Sequence, residues 1–238
     1  MIFIVLILVA GLVVFWIIWR KKHPTEKKNS DVRFVFSCVF HPIRSYLYLK
    51  EMRLISPKRQ IRLGIIAFGV IVLMFITSVL KTTLGGFMYV AYDSNTYNSL
   101  LVLISTVGVA LLWCIVNWGL CTLFEGKGNF KEIVIVTGFS LIPLIINDIF
   151  YIVSTHVLVY SESAIISIVG TLSWIITILL ILIGMSIIHE YSFFKSIGMA
   201  IATLLGMFIV AFIIFLVMTL FQDVIEFIKM LYFEAIYR

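Results

Sequence analysis

The chain has 238 residues, of which 62% are hydrophobic and only 13% charged, with a formal net charge of +6. A soluble domain carries about 45–50% apolar and about 25% charged residues, and a globule of this length must cover too much surface with polar groups to hide such an excess. Soluble, disordered, collagen-like and disulfide-scaffold classes are therefore excluded; Gly is only 14 and Cys three.

A helix crossing the roughly 30 Å hydrocarbon layer needs about 20 mainly apolar residues. Six stretches qualify: residues 2–19, 63–80, 100–124, 133–155, 164–188 and 197–221. Strands of a membrane barrel would alternate apolar and polar positions. Runs such as ILLILIG (178–184) and FIVAFIIFLVM (208–218) do not alternate. The expected fold is all-α: a polytopic membrane helix bundle with a five-helix core at 63–221 and an additional N-terminal transmembrane anchor at 1–19.

No basic segment precedes the first run and no small-x-small site follows it, so it reads as a retained anchor rather than a cleaved signal peptide. Arg20, Lys21 and Lys22 close it and place its N-terminus outside. Residues 20–62 hold 12 of the 18 Lys and Arg against three acids, a local charge of +9. The positive-inside rule places that segment in the cytoplasm, and alternation puts 125–131 and 189–196 on the same side. The loops at 81–99 and 156–163 and the amphipathic tail at 222–238 fall outside. A basic stretch adjoining six spans is better explained by anionic inner-leaflet lipid than by nucleic acid.

Residues 20–30 are polar and read as a tether. Beyond them, Pro42 suits the first turn of a helix over about 41–54. Ile43, Tyr46, Leu47 and Leu54 fall near one side of it, the pattern of an amphipathic helix lying in the bilayer interface. Pro57 ends it. Cys38 invites lipidation, although a buried thiol is the plainer reading. Arg44, Lys50, Arg53, Lys58 and Arg59 are the candidate partner-binding residues of this segment.

Inside the spans, small residues mark close helix approach. Gly198, Ala202 and Gly206 form one such stripe, and Ser163, Ser167 and Thr171 another. The preludes RQIRLG, GNFKEI and FFKSIG before spans two, four and six hint at a repeated two-helix unit. Ionisable and amide groups in hydrocarbon are functional candidates. Asp148 leads, beside Asn147 and after Pro143, which is expected to kink its span. Asn117 is the other. At 1.5 Å per residue, Asn117 lies about 14 Å from Asp148 in depth, too far to pair with it. Asp148 should instead lie near the outer edge, within reach of water or of Ser and Thr hydroxyls on neighbouring spans, with an interfacial carboxylate as the plainer reading.

Catalytic chemistry is sparse. His189-Glu190 begins an H-E-x-x-H pattern, but Phe193 occupies the second His position. The Gly126-Lys127-Gly128 loop lacks the phosphate-loop form. Cys114 and Cys121 share one helix face and cannot alone hold a metal. No enzyme activity and no cofactor are expected.

Two stretches carry a family resemblance. GFSLIP (138–143) resembles the G-Y/F-S-L-x-P pattern of the Yip-one-domain family, the Ypt/Rab-interacting membrane proteins. It follows a Gly-Lys-Gly-x-Phe-Lys loop similar to that of bacterial members. FHPIRSYLYLKE (40–51) resembles the pre-membrane segment of those members. The resemblance implies a five-helix bundle with a cytoplasmic N-terminal region and no catalytic activity. Eukaryotic relatives are tied to prenylated small GTPases and vesicle traffic. This chain adds an N-terminal span and lacks their Asp-Leu-Tyr-Gly-Pro motif, which counts against a GTPase partner and favours a bacterial plasma-membrane protein. A partner-binding or membrane-organising role follows, with partners among membrane proteins; a transporter, permease or transporter accessory subunit is the alternative.

Overall fold

A computed structural model describes residues 31–86 and 98–237. The expected first span, the tether and the greater part of the 81–99 loop lie outside these residues. The described part comprises α1 (Asp31–Phe40), α2 (Pro42–Ile55), α3 (Pro57–Leu84), α4 (Ser99–Leu123, with a π-helical turn at Ile104–Gly108), α5 (Phe130–Ser140), α6 (Ile142–Val157), α7 (Ser163–His189) and α8 (Phe193–Tyr237). Five segments are long and apolar enough to cross a membrane: α3, α4, the α5–α6 pair, α7 and α8. They coincide with the five core spans expected from the sequence.

The α5–α6 segment is the axis of the bundle. Its most apolar stretch is 78% buried, against 22% or less for every other span. α3 runs parallel to it in a register traced by Gln60 with Glu132, Ala67 with Gly138, and Ser78 and Lys81 with Asp148. Gly138 permits this approach: a Cβ there would lie 2.5 Å from the Ala67 carbonyl oxygen. Pro143 breaks the axis as expected. α5 stops at Ser140, Leu141 closes a tight turn onto the Gly138 carbonyl at 3.2 Å, and α6 resumes with Pro143 in its first turn.

The helix around Pro42 forms, but it packs on the bundle by a face that the sequence pattern does not indicate, and Tyr46 lies on that face rather than with Ile43, Leu47 and Leu54. α2 buries Ser45, Tyr46, Leu49 and Met52, while Ile43, Leu47 and Leu54 are exposed. Together with Phe34 and Cys38 of α1, these residues join one core with α3, α5 and α7. The polar atoms that argue against burying that face are satisfied within it: Ser45 donates to Ser37 at 2.9 Å, and the Tyr46 hydroxyl meets Ser140 at 3.2 Å. α2 is thus packed on the bundle's end by its inner face.

Both small-residue stripes are displaced as well. α8 buries Ser196, Met199 and Thr203, and a Cβ on Gly206 would lie 2.7 Å from Val116. A Cβ on Gly198 would meet nothing within 4 Å, and Ala202 is only half-buried. On α7, Ser167 and Thr171 are exposed and donate back to carbonyls four residues earlier; Ser173, Thr177 and Leu180 face inward. The reason is geometric. A strict i+4 row turns about 40° per step around the helix, whereas alternating steps of three and four hold one side. Finally, α8 runs unbroken to Tyr237, so the tail expected at 222–238 continues the helix of the last span. No Gly or Pro follows Gly206, so the charges of 222–238 end the apolar run without ending the helix.

Replacing Gly138 with Ala should lower stability in detergent by about 1–3 kcal/mol, the usual range for an overpacked contact. Gly198→Ala should be neutral or stabilise by up to about 1 kcal/mol through helix propensity. Thermal unfolding of the two variants side by side checks the assignment of the packed face.

Candidate functional site

Three chain segments meet at the end of the bundle that carries the basic residues: α2, the α4–α5 loop and the α7–α8 turn. Both turns follow the same plan. Glu125 and Glu190 adopt the left-handed conformation, each with φ of 59°. The following amides, Gly126 and Tyr191, close onto carbonyls five residues back, Cys121 at 2.7 Å and Ser186 at 3.0 Å. This is the Schellman closure, in which glycine is the usual left-handed residue. Its recurrence before Phe130-Lys131 and Phe194-Lys195 gives the sequence hint of a repeated two-helix unit a structural counterpart.

Glutamate at position 190 is explained by its contacts. One carboxylate oxygen takes Lys50 of α2 and the other takes Lys127 of the α4–α5 loop at 2.5 Å. These two lysine hydrogen bonds depress the Glu190 carboxyl to about 2. Arg53 adds a second tie between α2 and the loop, donating to the Lys127 carbonyl at 2.9 Å. The loop then settles on His189 and Tyr191. Cβ atoms on Gly126 or Gly128 would come within 2.6 to 2.9 Å of the His189 ring, and the Gly128 amide donates to His189 Nδ1 at 3.3 Å. The Gly-Lys-Gly sequence is a docking loop. Burial raises the Tyr191 phenol to about 12, which keeps it a donor; it caps the end of α4 at the Phe124 carbonyl at 3.1 Å.

Beside this clamp, Asp31 of α1 bridges Arg59 at 3.0 Å and Arg62 at 2.7 Å of α3. Glu132 is buried at the start of α5. It accepts from the Asn129 amide in a capping box and from Gln60 at 2.9 Å. Cys38 is fully buried and its thiol is pushed up to about 12 by that burial. A thiol so placed is inert, which removes lipidation of the folded protein.

The five basic candidates therefore divide. Lys50, Arg53 and Arg59 are engaged in holding the fold, contrary to the expectation that all five face a partner. Arg44 and Lys58 are exposed and have no hydrogen-bond or ion-pair partner among the described residues.

The intramembrane candidates occupy separate contacts, as the depth argument requires. Asn117 donates to Thr203 at 3.1 Å and ties α4 to α8. Asn147 is buried near Gly170 of α7. Asp148 accepts from Ser78 at 3.3 Å, a span hydroxyl of the expected kind, and from Lys81 at 2.8 Å. Lys81, whose ammonium also lies 4.9 Å from the centre of the Tyr151 ring, was not a sequence candidate. The signal for it is the α3–α6 register, visible only once the two spans are known to be parallel neighbours. Among the described residues no cluster of three His, Cys, Asp or Glu is positioned to hold a metal ion.

These features define an all-α, multi-pass membrane protein whose α4–α5 loop, α7–α8 turn and pre-span helices are fastened together at one end. A family model for the Yip1 domain matches residues 36–215, from within α1 to within α8, and the chain belongs to that family. No curated protein and no solved structure matches it.

The Glu190 clamp has a defined pH dependence. A carboxyl whose folded pKa lies below its unfolded value stabilises the fold above the unfolded value, 4.5, and loses that contribution as pH falls toward about 2. Glu190→Gln should therefore lower the Tm at pH 7, and the difference from wild type should vanish as the pH is lowered through that window. A constant difference at every pH would contradict the role of the charge.

Proposed function

We propose that the chain is a non-enzymatic, partner-binding or membrane-organising protein of a bacterial plasma membrane, with its basic end in the cytoplasm. The observation that carries this reading is the outer face of α2. Its inner face is locked into the core, and its outer face presents Ile43, Arg44, Leu47, Tyr48 and Leu54 to the surroundings. A packed helix offering aliphatic anchors beside an exposed guanidinium is the form in which amphipathic surfaces recognise other proteins. The cationic excess of 20–62 supports the cytoplasmic orientation and favours anionic inner-leaflet lipid around it.

Transport or an accessory role in it is the second reading, and it rests on Asp148. That carboxylate is already matched by Lys81 and Ser78, which favours a tie between α3 and α6 over an ion-binding group. If Asp148 is such a tie, Asp148→Asn should destabilise the bundle, and Lys81→Met in the same chain should restore part of the loss. The cost should fall short of the about 3–5 kcal/mol of a fully buried pair, because the Lys81 side chain is 34% exposed.

A photocrosslinker at Leu47 in native membranes tests the leading reading. A discrete protein adduct is expected, lost when Arg44 is replaced by Gln. Adducts with lipid alone, unchanged by that substitution, would refute it.

A further inference from the structure

The corner between α2 and α3 has a construction that neither the clamp nor the α2 face uses. An open depression of about 540 Å³ is lined by Ile55, Ser56, Pro57, Lys58, Arg59 and Arg62. Three cations thus converge on one cavity, and only Asp31 offsets two of them. Lys58 is without an ion partner among the described residues, and the Arg62 side chain is 62% exposed. The depression also sits over the N-terminus of the 28-residue α3, where Pro57 has no amide hydrogen and Ser56 makes no side-chain cap. Ser56 is also the C-cap of α2, whose carbonyl end offsets the positive end of α3, so the charge of this corner comes from its side chains. Directly beside the cations, Ile55 is 73% exposed, and Ile61 and Ile65 continue an exposed apolar face down α3. α3 continues from this corner as an apolar span, and Ile65 lies about 4.5 Å along the helix past Arg62, at 1.5 Å per residue, on the side where acyl chains would run.

We infer that this corner is a binding site for an anionic phospholipid, with the headgroup phosphate held by Lys58 and Arg62, Arg59 staying on Asp31 and Tyr48, and the acyl chains running down the α3 face past Ile61 and Ile65. The cations match the phosphate in charge. The apolar wall separates a lipid from a free phosphate, which would have no use for it. The site rests on the reading that the basic end faces an anionic leaflet, but it is independent of any protein docked on Leu47.

The test uses the full chain in a mild detergent, with mixed micelles of phosphatidylglycerol or phosphatidylcholine and native mass spectrometry to count retained lipid. Wild type should retain phosphatidylglycerol selectively. Lys58→Gln with Arg62→Gln should weaken that retention roughly 25-fold, at about fivefold per cation near a lipid surface. Lys58→Arg with Arg62→Lys should keep most of the retention, which separates lost charge from lost folding. Arg33→Gln with Lys131→Gln removes two charges from the same end outside the depression; an equal loss there would overturn the site in favour of diffuse attraction. Displacement of the lipid by inorganic phosphate as effectively as by phosphatidylglycerol would overturn the lipid assignment. Loss of the Leu47 protein adduct with lipid retention intact would touch the partner reading alone.

Discussion

In hydrocarbon every backbone amide and carbonyl must be satisfied within its own helix, and only what the helices do with their side chains is left to shape the molecule. That constraint organises this protein. It forces the spans to be continuous, leaves packing and a few polar ties as the means of holding them together, and pushes irregular backbone to the two ends. The axis at Phe130–Val157 shows the outcome. It is broken only at Leu141, where the buried environment supplies a tight turn and Pro143 begins the next helix.

The polar ties are placed where each can be matched. Asn117 with Thr203, and Asp148 with Ser78 and Lys81, fasten neighbouring spans. Glu190 fastens three segments at once, since α2 and the α4–α5 loop each lend it a lysine. The left-handed glutamate in that turn costs backbone strain that glycine would avoid. Its carboxylate offsets the cost by joining α2 to loops more than 60 residues away in sequence. The result is a stiff platform at the basic end, with α2 displayed on it and the α2–α3 corner open beside it.

How much of this the sequence carried depends on the length scale. The five core spans are legible because lipid demands long apolar runs, and Pro42, Pro57 and Pro143 mark their breaks through a missing amide. The contact faces are not legible, because spans apolar on every side carry no stripe to read; Gly198 and Gly206 look alike in sequence and differ only in what stands opposite. The inner face of α2 was hidden for a related reason. Tyr46 reads as one of a membrane-facing row with Ile43, Leu47 and Leu54 until Ser140 is known to meet its hydroxyl and Ser37 that of its neighbour Ser45. Lys50, Arg53 and Arg59 could be recognised as charged but not as already committed, since their partners lie far along the chain.

The central claim is that α2, the α4–α5 loop and the α7–α8 turn share one side of the membrane, opposite the α6–α7 connection. Single cysteines at Leu54, Lys131 and His156, treated with a membrane-impermeant maleimide before and after permeabilisation, test it most directly, because the native Cys38, Cys114 and Cys121 are buried. The account predicts that Leu54 and Lys131 are labelled together and only after permeabilisation, while His156 is labelled from outside. Labelling of Leu54 and His156 from the same side would contradict it.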